Sequence, residues 1–475
     1  MYNRAMNSLD VSAEEFRRLA DEVTEIAAEY LAGLSDQPIA PAVTGGDTEQ
    51  MFHTPAPEQG LGFAALAELR EVSRHCRAQN GSFFGYVLGS GEPVAAVADL
   101  LASVLNQNAT AWRSSPAAIT IERTTISWIA QAIGCAAFSG SLTGGGSSAN
   151  LMGLAMAREA KAPANKQGLR NAPPLMVYAS EQVHMSIPKS IALLGIGRDH
   201  LRLVPVDPAF RIRISELDRA IDEDKRNGKL PIAIVATAGT VNTGAIDPLS
   251  DLAAVAARHN LWLHVDGAYG ALAAMAVPEK FAGLNLADSI SLDPHKWLFQ
   301  PLDCGCLLYR DPAAAQNAFA HTGEYAKVLS EDPIEGFAFF EESLELSRRF
   351  RALKLWLSLS YHGLNAFREA IRLNLTLAQR LAAAISAQPE LELLAPVELS
   401  AVCFRYRDGT EDESHLDEMN RQILKRVIER GKVYLSNATL NGQFCLRACI
   451  TNHRTTADDV DRVIPEVLAA ALHLN

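Results

Sequence analysis

Apolar residues recur at three- and four-residue steps near the start of the chain: Phe16, Leu19, Val23, Ile26, Ala27 and Tyr30. That spacing draws one apolar stripe along a helix. The first forty residues are therefore read as an amphipathic helix, closed by the connection Gln37-Pro38-Ile39-Ala40-Pro41. A helix at the extreme N-terminus has little core of its own to join, so the expected cover for its stripe is a second subunit. The middle of the chain is patterned differently. Leu175 to Ala179, Ile232 to Thr237, Leu261 to Val265, Ser289 to Leu292 and Gly305 to Tyr309 are apolar runs of strand length, and Leu249 to Asn260 reads as a helix between two of them. Strands buried on both faces with helical crossovers make an α/β fold with a mostly parallel sheet, and function collects at the loops after the strand C-termini. Beyond residue 350 the helical stretches Arg349 to Ser360, Leu364 to Ala387, Leu416 to Arg430 and Thr456 to Leu472 enclose two short strands, Ala401 to Arg405 and Cys445 to Ile450. The expected division is an N-terminal helical segment over 1–80, a large α/β domain over 81–350 and a small C-terminal α+β domain over 351–475. The segment Ala320 to Ser347 is acidic, has no clear period and is long for a structureless connection, so it is read as a lid.

Composition narrows the function classes. The 475 residues carry 43 basic and 55 acidic side chains, a net charge of −12. No basic stripe is available to neutralise phosphates, which argues against nucleic acid as a partner. Hydrophobics at 48% with 21% charged residues exclude wholesale disorder. The longest apolar stretches, such as Ala271 to Val277, are far too short to cross a bilayer. No apolar run follows Arg4, so no secretory signal is read and a cytoplasmic location is expected. The seven cysteines are an odd number and are read as free thiols in a reducing compartment. Cys304 and Cys306 flank one glycine, but no second pair lies at ligand spacing, so no metal site is expected.

Five segments carry candidate chemistry. In Ser291-Leu292-Asp293-Pro294-His295-Lys296-Trp297 a lysine follows a buried-looking strand. It is either a surface Lys at a strand end or a Schiff-base lysine, whose amine must be desolvated to attack near neutral pH. Asp266 ends the run Leu261 to Val265; it is either a turn residue or an acid placed to hold a proton on a pyridine nitrogen. Gly144-Gly145-Gly146-Ser147 opens a helix read from Leu151 to Glu159, and exposed N–H groups at a helix start bind an anion. No Lys follows the last glycine and the pattern is not GxGxxG, which leaves a single phosphate ester rather than a nucleotide. His184, after the run Leu175 to Ala179, is either structural or a ring to lay on a flat cofactor. The loop Ala236 to Pro248 carries hydroxyls suited to a phenolic oxygen.

In this order on an α/β chain, the segments resemble the group II pyridoxal-phosphate amino-acid decarboxylases, the family of aromatic-L-amino-acid, histidine and glutamate decarboxylases. The resemblance runs over about residues 12–470 and is most specific at Asp293-Pro294-His295-Lys296-Trp297. Val265 to Tyr269, Glu181 to His184, Ser347 to Lys354, Leu446-Arg447, and Ser115-Pro116-Ala117 with Glu122 support it. It implies the aspartate-aminotransferase-type fold (PLP fold type I), pyridoxal 5'-phosphate as cofactor, and a homodimer with both active sites at the interface. It also implies roles. Lys296 is the lysine that holds the cofactor, Asp266 the acid on the ring nitrogen and His184 the stacked imidazole. Gly146 and Ser147 take the phosphate, Ala268 is the small residue against the ring, Thr240 lies near the cofactor hydroxyl and His295 flanks the lysine. The implied reaction releases carbon dioxide from an L-amino acid and returns a proton to Cα, with Lys296, His184 and Asp266 catalytic.

Aromatic substrates are expected, because Phe83, Phe84, Tyr86 and Trp112 fall in the pocket region of the family. The alternatives are a decarboxylase of an acidic or diamino acid and an oxidative aldehyde synthase on the same scaffold. A non-catalytic binding protein would have lost Lys296 or Asp266, and both are present. Three features depart from the family pattern. Asp293 stands where many relatives carry Asn, and an acid beside a phosphate would repel it, so it is left out of the phosphate site. The His-Pro pair usual before the Phe83 segment is missing. Counted back from Ser347-Arg348-Arg349, Phe339 takes the place of a lid Tyr that returns the proton in many relatives; a phenyl ring cannot donate one. Tyr325, earlier in the same loop, is the other candidate donor.

Overall fold

The computed structural model of the chain describes residues 9–41, 43–321 and 331–472. Seven strands build the large sheet: β1 (Ser139–Thr143), β2 (Leu175–Ser180), β3 (Leu201–Val204), β4 (Leu230–Thr237), β5 (Trp262–Asp266), β6 (Ser289–Leu292) and β7 (Gly305–Tyr309). Their order is β1-β7-β6-β5-β4-β2-β3. The pairs from β3 across to β6 are parallel, and β7 runs antiparallel to both β6 and β1. All residues of β2, β5, β6 and β7 are buried, so these strands bury both faces and do not follow the alternation of a half-exposed strand. The helix Gly146–Lys161 covers one face, sharing a core of Met152, Met156, Val177, Val235 and Leu307. Helices Pro116–Ala132, Ile214–Arg226 and Leu249–His259 join the core of the other face through Ile126, Leu217 and Leu252.

Helix Ala352–Ser386 leads to the second sheet, with Gly363 at φ 73° breaking it where a gap between two helices was expected. That sheet holds β8 (Leu391–Leu393), β9 (Ala401–Tyr406), β10 (Ser436–Leu440) and β11 (Gln443–Cys449) in the antiparallel order β10-β11-β9-β8. Its core is closed by Ile423 and Val467 from helices Glu413–Arg430 and Val463–Ala471. Phe84 belongs to this core: its N–H donates to the Tyr434 carbonyl at 2.9 Å and its carbonyl accepts from the Cys449 N–H at 2.9 Å.

The N-terminal helix spans Ala13–Gly33, capped by Ser12 Oγ accepting from the Glu15 N–H. Of its residues Ile26 alone is buried, and Phe16, Val23 and Leu31 stand exposed. All seven cysteines are free. No described helix is long and apolar enough to cross a membrane.

The expectation for Phe339 in the lid needs correction. Tyr325 lies outside the described residues. Phe339 is no lid residue: it is fully buried in a short 3-10 helix, Phe339–Glu341. Its ring meets Phe337 edge-on at 4.9 Å, the Arg348 guanidinium lies 4.2 Å over it, and its N–H donates to the Thr110 carbonyl at 2.8 Å. A buried ring packed between Phe337 and Arg348, on a backbone held by Thr110, is fixed in place and not poised over a cavity.

Candidate active site

β1, β2, β4, β5 and β6 all end at one edge of the sheet, and the turns that follow them surround a cavity of about 280 Å³. Lys296, His295, Asp266, Ala268, His184, Gly146 and Ser147 all line it. Thr240 does not. Its side chain is fully buried beneath the loop, bonded to Thr243 Oγ1 at 2.9 Å and to the Thr243 and Ala245 N–H groups. The loop residues that reach the cavity are Thr237, Gly239 and Val241. The Thr237 hydroxyl is buried and has no hydrogen-bond partner. Phe83, Phe84, Tyr86 and Trp112 do not line the cavity either; from that stretch only Val87 does. Phe84 is spent on the small core, and Phe83 stacks on Tyr434 with centroids 5.0 Å apart.

Lys296 sits in a four-residue helical turn, Pro294–Trp297, immediately after β6. Its Nζ lies 2.9 Å from Asp293 Oδ2. Asp293 therefore points into the site, although it was left out of the phosphate seat on sequence grounds. Its Oδ1 is buried without a partner. His295 Nδ1 accepts the Cys304 N–H at 3.2 Å, so its Nε2 faces Asp293 Oδ2 at 3.5 Å. Burial holds the His295 ring below its ordinary pKa, partly offset by Asp293.

Asp266 ends β5 and is nearly buried. Oδ2 accepts from Asn150 Nδ2 at 3.0 Å; Oδ1 accepts from Ser291 Oγ and the Ala268 N–H, both at 3.2 Å. Three donors fix a carboxylate in the wall. His184, after β2, is anchored by Ser186: its Nδ1 meets Ser186 Oγ at 2.8 Å and accepts the Ser186 N–H at 3.2 Å. Burial lowers its pKa, opposed by Asp266 and assisted by Lys296, so the ring is neutral near pH 7.

The helix Gly146–Lys161 starts at this cavity, and no side chain caps it. Its first N–H groups are thus free to meet an anion. Gly146 must be glycine: a Cβ there would lie 2.8 Å from Ala268 Cβ and 2.9 Å from Asp293 Oδ2.

Comparison with known proteins places the chain in a family. Residues 70–407 match the model of the pyridoxal-dependent decarboxylase conserved domain. The chain belongs to the pyridoxal-dependent decarboxylase family. It is 35% identical over 472 residues to an aromatic-L-amino-acid decarboxylase of Bacillus atrophaeus, covering 98% of this chain and 97% of that protein. It is 30% identical to a phenylacetaldehyde synthase of Petunia hybrida, covering 94% and 92%. Among solved structures, Oryza sativa TDC with PLP and tryptamine superposes with a TM-score of 0.92 at 27% identity, covering 99% of both chains. The enzyme is a pyridoxal-phosphate-dependent carboxy-lyase of the aspartate-aminotransferase fold type, as the resemblance implied.

The residues of this family member fit the cofactor. A bare helix start above Gly146 suits a phosphate, a triply bonded carboxylate suits a protonated ring nitrogen, and the unpartnered Thr237 hydroxyl suits the phenolic oxygen. Asn150 and Thr237 were not singled out by sequence reasoning, and Asp293 was singled out but left out of the phosphate site. Asn150 lies one turn into the helix that the glycine run opens, and that position was its only signal.

Proposed function

We propose that this enzyme decarboxylates an aromatic L-amino acid to its amine and carbon dioxide, working as a cytoplasmic homodimer. The observation that carries the reading is one cavity in which Lys296, Asp266 and His184 meet at the start of helix Gly146–Lys161. Aromatic substrates are supported by the decarboxylase of Bacillus atrophaeus and by the lining itself. Apart from Lys296, no lysine or arginine lines the cavity among the described residues, so a substrate carboxylate side chain would find no partner there. Exposed apolar side chains support the dimer: Phe16, Val23 and Leu31 on the first helix, and Val97, Leu101 and Val104 on helix Pro93–Leu105. The three units proposed are 1–80, 81–350 and 351–475.

Bound pyridoxal phosphate supplies a protonated ring that takes up the electrons of the breaking bond. The chain's own groups do the rest. Asp266 keeps the proton on the ring nitrogen, and burial strengthens that pair. Lys296 Nζ would hold the cofactor covalently. His184 presents a neutral ring face, Ala268 leaves room beside it, and Gly146 and Ser147 hold the phosphate. His295 steadies the Lys296 turn through Cys304.

The test is carbon dioxide and amine release across the twenty amino acids, with borohydride reduction and peptide mapping of the purified enzyme. The expected result is turnover of aromatic amino acids, one amine per carbon dioxide, and a cofactor label on Lys296. A label on another lysine, or turnover confined to acidic amino acids, overturns the reading.

A further inference from the structure

Behind Asp266 lies a run of buried polar groups that the reaction does not itself require. A carboxylate only accepts, so the Asn150 atom 3.0 Å from Asp266 Oδ2 is its amide nitrogen. The same nitrogen donates to Ser186 Oγ at 2.9 Å. Asn150 Oδ1 is thereby turned toward His264 Nε2, 2.8 Å away. A carbonyl oxygen also only accepts, so Nε2 carries the hydrogen. Burial pushes the His264 imidazole down to about 4, against the pull of Asp266, and keeps the ring neutral. His264 Nδ1 is then an acceptor, and its partner Ser289 Oγ donates to it at 2.8 Å. Ser289 Oγ accepts in turn from Trp262 Nε1 at 2.9 Å.

The sequence of bonds begins at an indole that can only donate and ends on a carboxylate that can only accept. Each link between them therefore has one direction. A branch follows the same logic. Ser186 Oγ, having accepted from Asn150, donates to His184 Nδ1, which leaves the hydrogen of His184 on Nε2. The fold makes room for this. His264 and Ser289 are register partners on β5 and β6, and the His264 ring fills the space left at Gly153, where a Cβ would lie 2.5 Å from its Cε1.

We propose that Trp262, Ser289, His264 and Asn150 form a positioning chain that sets the hydrogen-bonding direction of both Asp266 and His184, with His264 as its pivot. His264 does not line the cavity; it acts through Asn150. The inference rests on the proposed assignment of Asp266 to the ring nitrogen.

The experiment titrates apoprotein with pyridoxal 5'-phosphate by absorbance and measures kcat and KM by carbon dioxide release. His264→Leu keeps apolar bulk but leaves the Asn150 carbonyl without its donor. The expected result is a cofactor Kd raised about tenfold and kcat lowered about tenfold, with KM nearly unchanged. His264→Gln restores an N–H donor and is expected to recover most of both losses. Ser289→Ala, a smaller change, serves if His264→Leu does not fold, and is expected to raise Kd by about threefold. Wild-type Kd and kcat in His264→Leu, or in Ser289→Ala where it stands in, overturn the proposal. So does a His264→Gln variant that folds and is as impaired as His264→Leu, because shape rather than hydrogen bonding would then matter. Asp266→Asn in the same titration separates the two levels. If it changes neither Kd nor kcat, the assignment of Asp266 falls; if it weakens both while the His264 variants do not, the positioning chain alone falls.

Discussion

Arg348 and Glu122 are paired with almost no exposure of either side chain, and removing one partner tests how the phosphate strand is held. Arg348 Nη2 pairs with Glu122 Oε1, and Nη1 reaches Oε2 at 3.3 Å. The guanidinium also donates to the Ala109 carbonyl at 2.7 Å and the Leu142 carbonyl at 2.9 Å, while Glu122 accepts the Leu142 N–H at 2.9 Å. Arg348 thus ties helix Pro116–Ala132 to β1, next to the turn that delivers Gly146. Arg348→Met keeps the bulk and deletes the charge. A buried carboxylate left alone takes up a proton rather than stay ionised. A Glu carboxyl titrates near 4.3 in water, so that proton costs about 4 kcal/mol at pH 7 and about 1 kcal/mol at pH 5. Each carbonyl that loses its donor adds roughly 1 kcal/mol. In the variant the folded state binds a proton the unfolded state lacks, so stability falls as pH rises. Denaturant unfolding of the two proteins at pH 7 and pH 5 measures it. Expected is a loss of roughly 6 kcal/mol at pH 7, falling to roughly 3 kcal/mol at pH 5. Arg348→Met with Glu122→Leu buries no charge and is expected to be the more stable of the two variants. A loss under about 1 kcal/mol at pH 7, or the same loss at both pH values, refutes the reasoning.

Gly146→Ala is expected to weaken cofactor binding at least tenfold and to cost the apoprotein about 1–3 kcal/mol, because the added Cβ would crowd Ala268 and Asp293 at the phosphate seat; unchanged affinity in the absorbance titration would count against that seat. Asp293→Asn is expected to tighten the cofactor about tenfold at pH 8, since its carboxylate borders Gly146 and opposes a phosphate dianion. The gain should shrink at pH 5.5, where the phosphate sheds one charge (second pKa about 6), and equal gains at both pH values would contradict it. Phe339→Tyr buries a hydroxyl against Arg348 and Phe337, so it is expected to cost about 1–3 kcal/mol and to leave the ratio of amine to carbon dioxide unaltered; a changed ratio would put that ring back in the reaction.

The five expected runs are all strands, legible because burial on both faces leaves them rich in apolar residues, whereas the parallel edge strand β3, only partly buried, was not expected. Nor was β1, because Ser139-Gly140-Ser141-Leu142-Thr143 has little apolar content. Its Gly140 is demanded by close packing, a Cβ there lying 2.5 Å from the Leu307 carbonyl oxygen. β10 left a signal that went unread: Asn441 and Gly442, both at positive φ, are the two-residue loop that joins it to β11. Lys296 and Asp266 stood out for a related reason. A charged residue at the end of an apolar strand is costly unless it has work to do there.

The rest of the site depends on facts that spacing along the chain does not hold. Thr237 and Thr240 are the same residue type three positions apart. The chain turns between them at Gly239, φ 101°, so Thr237 lines the cavity and Thr240 turns inward. Phe84 and Val87 likewise lie in one short stretch, yet one fills the small core and the other lines the cavity. Asn150 and His264 are 114 positions apart and ordinary in their local context. Only the placement of helix Gly146–Lys161 across β5 and β6 brings them to hydrogen-bonding distance. The strand ends display the reactive groups in the sequence itself, whereas the donors that aim those groups come from elements that meet only in the fold.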